Sequence, residues 1–307
     1  MPTRVSSPDQ QRRGVRLRLA AGLMFALMAA GVKLASDHGA HIVEILFYRN
    51  ALSLPLIVGW LAIGPGMAGI RVMRPRAHVS RGVIGLSAML LNFQALSMLP
   101  LAEATVISFS VPFFATALAA FFLSEAVGWH RWSAIAVGLI GVLVVVQPGS
   151  AHIAPLAALV GIAAALGVAG VTVTLRQLGA TETATATVFW FGIASTIVAG
   201  LAMPWFAQAH DALTWGLLLW VGITGGIAQL FNTASLRLAP VPVLAPFDYM
   251  QMLWAVLLGW LVWDMAPTGA TWAGAAIIVA SGLYIVHRER RLRREVSAAP
   301  SSPRPEA

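Results

Sequence analysis

The 307-residue chain is 58% hydrophobic and only 10% charged, with a mean hydropathy of +0.79. A soluble domain carries about 25% charged residues, so too little charge is present to coat a water-soluble surface. The net charge of +8 would suit nucleic acid, but the arginines gather at the two ends and in one loop, and with no cysteine the chain has no disulfide, Cys-ligated metal or thiol nucleophile.

Apolar runs recur along the whole length, long enough to cross a bilayer. The first, "LRLAAGLMFALMAAGVKLA", follows a basic stretch (residues 1–15) and imitates a signal peptide; its length and its later recurrence identify it as a retained span. Reading on between charged or Gly/Pro-rich breaks gives ten segments, at roughly 16–36, 43–63, 79–98, 103–123, 130–147, 154–175, 184–203, 213–233, 242–262 and 270–287. They are continuously apolar, not alternating, which predicts helices and not a barrel. A second basic stretch, 288–307, follows the last segment and is expected to be a disordered tail.

Lysine and arginine fix the topology. Arg4, Arg12, Arg13, Arg16 and Arg18 precede the first span. Arg71, Arg74, Arg76 and Arg81 are assigned to the second-to-third connection, Arg131, Arg176 and Arg237 to the later even-numbered breaks, and Arg288, Arg290, Arg291, Arg293, Arg294 and Arg304 to the end. All of these fall on one side of a ten-span chain, so both termini are expected in the cytoplasm. Lys33 and Arg49 remain, and both lie inside spans.

The chain also contains itself twice. "GLMFALMAAGVKL" (Gly22–Leu34) aligns with "GIAAALGVAGVTV" (Gly161–Val173) at an offset of 139. Asn92 then matches Asn232, Pro100 matches Pro240, Glu125 matches Asp264 and Trp132 matches Trp272 at nearly the same offset. Each half holds five spans. Five is odd, so the halves enter the membrane from opposite sides, and inverted repeats of this kind are the mark of alternating-access transporters with a site between the halves. The expected fold is an all-α polytopic membrane protein, with one five-helix repeat over 16–147 and the other over 154–287.

A charge in hydrocarbon costs at least about 2.5–3.5 kcal/mol, so each polar residue inside a span needs a reason. Lys33 sits near the outer end of the first span, where its stem could snorkel or its ammonium could meet a solute. Glu44, at the lip of the second span, reads as a solvated end residue, with a gate partnership to Lys33 or Arg49 as the alternative. Arg49 lies about 8–9 Å further in, deep enough to face the bundle interior, as a substrate or gate residue or as half of a structural salt bridge. Its guanidinium fork matches carboxylates and phosphates. Asp248, on the ninth span, is a coupling candidate for a proton, a partner for a basic residue, or a polar helix end. Asn92 and Gln94 on the third span, with Gln229 and Asn232 on the eighth, could line one path or only bond helices together. Phe113, Tyr249 and Trp254 could wall a flat solute or merely pack. Trp129, Trp205, Trp215, Trp263 and Trp272 sit at span ends as interface anchors.

With "GVKLAS", "EILFYRNALSLP" and "LPLAEATVISFSVPFFATALAAFFLSE" in the first half, and "APFDYMQMLWAVLLGWLVWDMAP" and "WAGAAIIVASGLYIV" in the second, the chain resembles the EamA-type branch of the drug/metabolite transporter superfamily over residues 16–288. It departs from that pattern at Asp264, where the family more often has glutamate. The resemblance marks Glu125 and Asp264 as repeat-boundary residues of structural role.

No Gly-rich GK[ST] loop, H-E-x-x-H or G-x-S-x-G is present. The reading is therefore a secondary active transporter of a small organic metabolite in a bacterial-type inner membrane, without cofactor or metal and with a proton as the possible coupling ion. A solute with an anionic group, such as an amino-acid-like zwitterion or a vitamin, would suit Lys33 and Arg49. The rivals are a non-transporting sensor or subunit and an intramembrane enzyme.

Overall fold

The computed structural model describes residues 7–63, 66, 70, 72–123, 127–149, 153–178 and 181–298. Glu125 lies outside the described residues. Twelve helices, and no strand, occur among them: α1 (Pro8–Asp37), α2 (Ile42–Ile63), α3 (Pro75–Met98), α4 (Leu101–Ser108), α5 (Val111–Phe122), α6 (Trp129–Val146), α7 (Pro155–Leu178), α8 (Ala184–Phe206), α9 (Ala212–Leu238), α10 (Val241–Asp248), α11 (Met250–Trp263) and α12 (Gly269–Ala298). They make ten spans, because α4 with α5 and α10 with α11 each form one crossing. The fourth and ninth spans, expected as single helices, are interrupted after Ser108 and Asp248. The reason is local. Pro112 has no N–H to give the Ser108 carbonyl, and Pro246 likewise interrupts the ladder of α10.

Ten spans place the start of α1 and the end of α12 at one face of the described residues, called the terminal face below; the opposite face is the far face. Two helices overrun their expected limits there. Helix α1 begins at Pro8, with Ser7 and Gln10 forming a capping box, and α12 continues through Ala298. The α1 overrun carries Gln10, Gln11, Arg12 and Arg13, and the α12 overrun is rich in arginine with two glutamates; these residue types are good helix formers.

The two halves, α1–α6 and α7–α12, are inverted five-helix repeats. At an offset of 140, Phe109 is the repeat mate of Tyr249, and the two rings touch, with centroids 5.1 Å apart. A residue can touch its own mate only close to the pseudo-two-fold axis. The fifth and tenth spans tell the same story. A Cβ on Gly141 of α6 would lie 3.0 Å from the carbonyl oxygen of Gly274 in α12, while Ser281 of α12 donates to the Ala134 carbonyl of α6 at 3.3 Å. Ala134 and Gly141 are the mates of Gly274 and Ser281, so one contact is the other turned about the axis.

Elsewhere the halves interlock. Helix α1 runs along α9, α2 lies against α8 and α9, and α3 lies against α7. Glycines let the backbones close in. A Cβ on Gly222 of α9 would sit 2.5 Å from Leu52 Cβ and 2.9 Å from the Tyr48 carbonyl oxygen of α2. The outer surface is apolar in the way lipid requires. Trp129, Trp205, Trp215 and Trp272 are exposed at span ends, whereas Trp263 turns inward and donates to Asp37 Oδ2 at 2.8 Å.

Candidate functional site

Between the halves lies a cavity of about 390 Å³. Its walls come from both repeats: Met28 of α1, Arg49 of α2, Arg81, Met89 and Asn92 of α3, and Thr105 of α4 on one side; Gly161 and Val171 of α7, Phe191 of α8, Gln229 of α9 and Gln251 of α11 on the other. A smaller chamber of about 80 Å³ adjoins it, and Arg49, Arg81, Phe191 and Gln229 line both.

Arg49 is held by its own helix. Its Nη1 donates to Asn50 Oδ1 at 2.8 Å, while Asn50 is itself anchored to the Leu46 carbonyl at 2.9 Å. The approach of α9 is so close that a Cβ on Gly225 would meet Arg49 Nε at 3.3 Å. That Nε is closed off from solvent and has no hydrogen-bond partner. Arg81 was assigned by sequence to the connection before the third span. The structure places it in the second turn of α3, inside the span, with its guanidinium 4.5 Å from the Phe191 ring centroid. Arg81 Nε and Nη1 also lack partners. Among the described residues no carboxylate pairs with either guanidinium.

Of the residues singled out by sequence, Arg49 and Asn92 therefore line the cavity, and Gln229 joins them. The others do not. Lys33 is buried at the far end of α1, its ammonium 5.7 Å from the Trp263 ring centroid. Gln94 turns to Ser97, with its Nε2 3.3 Å from Oγ. Phe113 is fully buried against Gly138 of α6. Tyr249 packs on Phe109 and Gly282, and Trp254, partly buried on α11, lies outside the cavity lining.

Asp248 and Asn232 meet at the terminal face around Arg18. Arg18 Nη2 donates to Asp248 Oδ2 at 2.8 Å; Nε reaches Oδ1, and Nη1 reaches Asn232 Oδ1. This cluster ties α1 of the first repeat to α9 and α10 of the second.

Glu44 corrects the expectation of a solvated lip residue: it is 1% exposed. Its oxygens accept from the His41 amide at 2.8 Å and the Gln208 amide at 3.0 Å, and one lies 2.9 Å from His210 Nε2. It pairs with neither Lys33 nor Arg49. A second buried carboxylate, Glu103, went unweighed in the sequence; its Oε1 accepts from Thr271 Oγ1 at 2.9 Å. Both contacts join the repeats at the far face. At the terminal face, Glu182 accepts from the Met73 and Arg74 amides at 2.8 and 2.7 Å and lies 3.5 Å from His78 Nε2. Loss of hydration pushes the Glu182 carboxyl up, but those two amides and His78 outweigh it and hold the group below the ordinary glutamate range.

The signal for Arg81 was available: it falls within the third apolar window, two residues past its start. Gln251 and Phe191 had no such signal. Which face of a helix meets the cavity is set by packing, not by polarity alone.

Comparison with known proteins agrees with this architecture. The EamA-like transporter family matches residues 12–147 and again 155–287. The pseudopaline exporter CntI of Pseudomonas aeruginosa is 32% identical over 275 residues, covering 89% of this chain and 95% of the exporter. A riboflavin transporter of Rhizobium johnstonii is 32% identical over 230 residues, 75% of this chain and 76% of that protein. An S-adenosylmethionine uptake transporter of Rickettsia conorii is 27% identical over 255 residues, 82% of this chain and 85% of that protein. A crystal structure with a TM-score of 0.62 and 21% identity covers 90% of this chain and 99% of its own, which shows the common fold. Two matched repeats, ten spans and relatives along nearly the full length agree: the chain belongs to the EamA-like transporter family.

Proposed function

We propose that this multi-pass transporter moves a small organic metabolite across the inner membrane by alternating access, with both termini in the cytoplasm. The observation that carries the reading is the cavity of about 390 Å³ walled by both inverted repeats. It falls within the range of about 300–1,000 Å³ typical of small-ligand sites. The relatives named for pseudopaline, riboflavin and S-adenosylmethionine support a metabolite cargo. The arginines grouped at the terminal face support the cytoplasmic assignment.

Alternating access needs two closures that break in turn. Both faces carry bridges between the repeats: Arg18 with Asp248 and Asn232 at the terminal face, Glu44 with His210 and Glu103 with Thr271 at the far face. Each bridge stabilises the state in which its own face is shut. In this scheme Arg49 and Asn92 contact the solute, and Asp248 acts through Arg18 as a gate.

The absence of cysteine makes the test direct. Ala104→Cys and Val171→Cys place single thiols on the cavity wall towards the far and terminal faces. They are labelled with a membrane-impermeant maleimide from each side. Arg18→Ala is expected to raise labelling at Val171→Cys from the terminal side and lower it at Ala104→Cys from the far side. Glu44→Ala is expected to do the reverse. If both sites open together in either variant, the halves do not exchange and the mechanism is wrong.

A further inference from the structure

The cavity has an unbalanced charge. Arg49 and Arg81 both wall the 80 Å³ chamber, and together they leave three guanidinium nitrogens closed off from solvent with no acceptor. The remaining polar residues of that chamber, Asn50, Ser53 and Gln229, are neutral. Arginine stays protonated in proteins. Two like charges facing one poorly hydrated space repel each other, and buried donors without acceptors are costly. Neither cost is met by a residue of this chain, because no carboxylate among the described residues accompanies the pair.

The lining narrows what could meet it. A chamber of about 80 Å³ is well above the ~10–15 Å³ that a single water needs, and with both guanidiniums in its wall it takes a carboxylate or a phosphoryl group. The larger cavity is differently made. Phe25, Met28, Met89 and Phe93 give it a pliable apolar lining, suited to an organic body of loosely defined shape. Phe191 faces the Arg81 guanidinium and holds its fork at the junction of the two spaces.

We infer that the transported solute is an amphipathic organic dianion: a phosphoryl group or two neighbouring carboxylates held between Arg49 and Arg81 in the small chamber, with an apolar body in the larger cavity. The inference rests on the proposed reading of this cavity as the solute site. Arg49 and Arg81 are the binding cations, and Phe191 is a positioning residue for Arg81.

Full-length protein in phosphatidylcholine nanodiscs, at fixed ionic strength, is titrated with phthalate, phenyl phosphate, benzoate and trimethylanilinium, and ligand binding is read as a rise in Tm. Phthalate or phenyl phosphate is expected to bind at least about tenfold more tightly than benzoate, and trimethylanilinium not at all. Whichever of the two raises Tm identifies the head as paired carboxylates or phosphoryl. Arg49→Gln and Arg81→Gln are each expected to weaken that binding about ten- to a hundredfold, the scale of losing a charge-assisted hydrogen-bonded contact. Arg49→Lys and Arg81→Lys retain the charge and are expected to recover part of it, which separates recognition from a folding defect. Dianions no tighter than benzoate, or unchanged affinity in both glutamine variants, would overturn the inference. So would a Tm rise that depends on Arg81 and comes from phosphatidylglycerol nanodiscs while soluble dianions give none, because the site would then take a lipid headgroup. The maleimide experiment uses no ligand. A chain that alternates in labelling yet binds neither dianion keeps the transport mechanism and loses this assignment.

Discussion

Arg49 and Arg81 show what a single residue can and cannot reveal. Arg49 was legible because no topology rule explains an arginine about four helical turns from its nearest terminal-face loop. Arg81 was hidden by the same rule, since four arginines in eleven residues read as one basic loop. Glu44 failed differently: a carboxylate at a helix end normally faces water, and only the chain after α8, folding back with Gln208 and His210, buries it. Glu182 gives a pH prediction at this scale. Its folded-state pKa is lowered, so its contribution to stability is full above the unfolded value near 4.3 and is lost as pH falls through the folded value. Tm measured from pH 6 down to pH 3 is expected to fall less steeply in Glu182→Gln than in the parent chain. An identical slope in both would show that the Met73–Arg74–Glu182 contact does not contribute in this way.

At the scale of elements, the ten spans were readable because lipid forces every backbone polar group into a helix, and long apolar runs have no other solution. The interruptions of the fourth and ninth spans were not read, although Pro112 and Pro246 announce them. Membrane helices often absorb a proline without breaking, so proline alone is ambiguous there. Helix contacts were likewise beyond the sequence. Gly141 and Gly274 matter because α6 and α12 cross there, with a Cβ on Gly274 meeting the Gly141 carbonyl oxygen at 2.6 Å. Gly274→Val overpacks that crossing and is expected to cost about 1–3 kcal/mol of stability, the usual range for forced-in volume. The check is detergent denaturation of the variant beside Gly282→Ala and Gly269→Ala. Gly269 meets nothing within 4 Å and should be near neutral, whereas Gly282 abuts the Tyr249 hydroxyl and should not.

For the whole molecule, the inverted repeat is the organising fact, yet the two faces are chemically unequal, because the bridging residues are not repeated: Asp248 matches Ser108 and Glu103 matches Val243. Arg18, Asp248 and Asn232 bridge the repeats at one; Glu44 with His210 and Glu103 with Thr271 bridge them at the other. The pairing of Asp248 with Arg18 turns a coupling candidate into a question with a clean answer. A gate residue acts through its partner, so uptake in proteoliposomes is expected to fall alike in Arg18→Gln and Asp248→Asn, with little further loss in the double variant. A proton carrier would behave otherwise: Asp248→Asn alone would abolish the response to an imposed pH gradient while Arg18→Gln kept it. The gate assignment fails on that result.

The sequence by itself determined the class, the ten spans, the inverted repeat and the family, and it isolated Arg49 as a charge without a topological excuse. These follow from one-dimensional facts: the length of apolar runs, the side on which arginines fall, and a fixed offset between matching residues. Tertiary structure alone decided which polar groups share a space. It moved Lys33 away to Trp263, gave Asp248 to Arg18, buried Glu44, and brought Arg81, Gln229 and Gln251 from three helices to one cavity. The physical reason is that lipid selects helices by composition, whereas helix rotation and contact are settled by close packing at small residues, and polarity along one chain does not encode which neighbour will meet it.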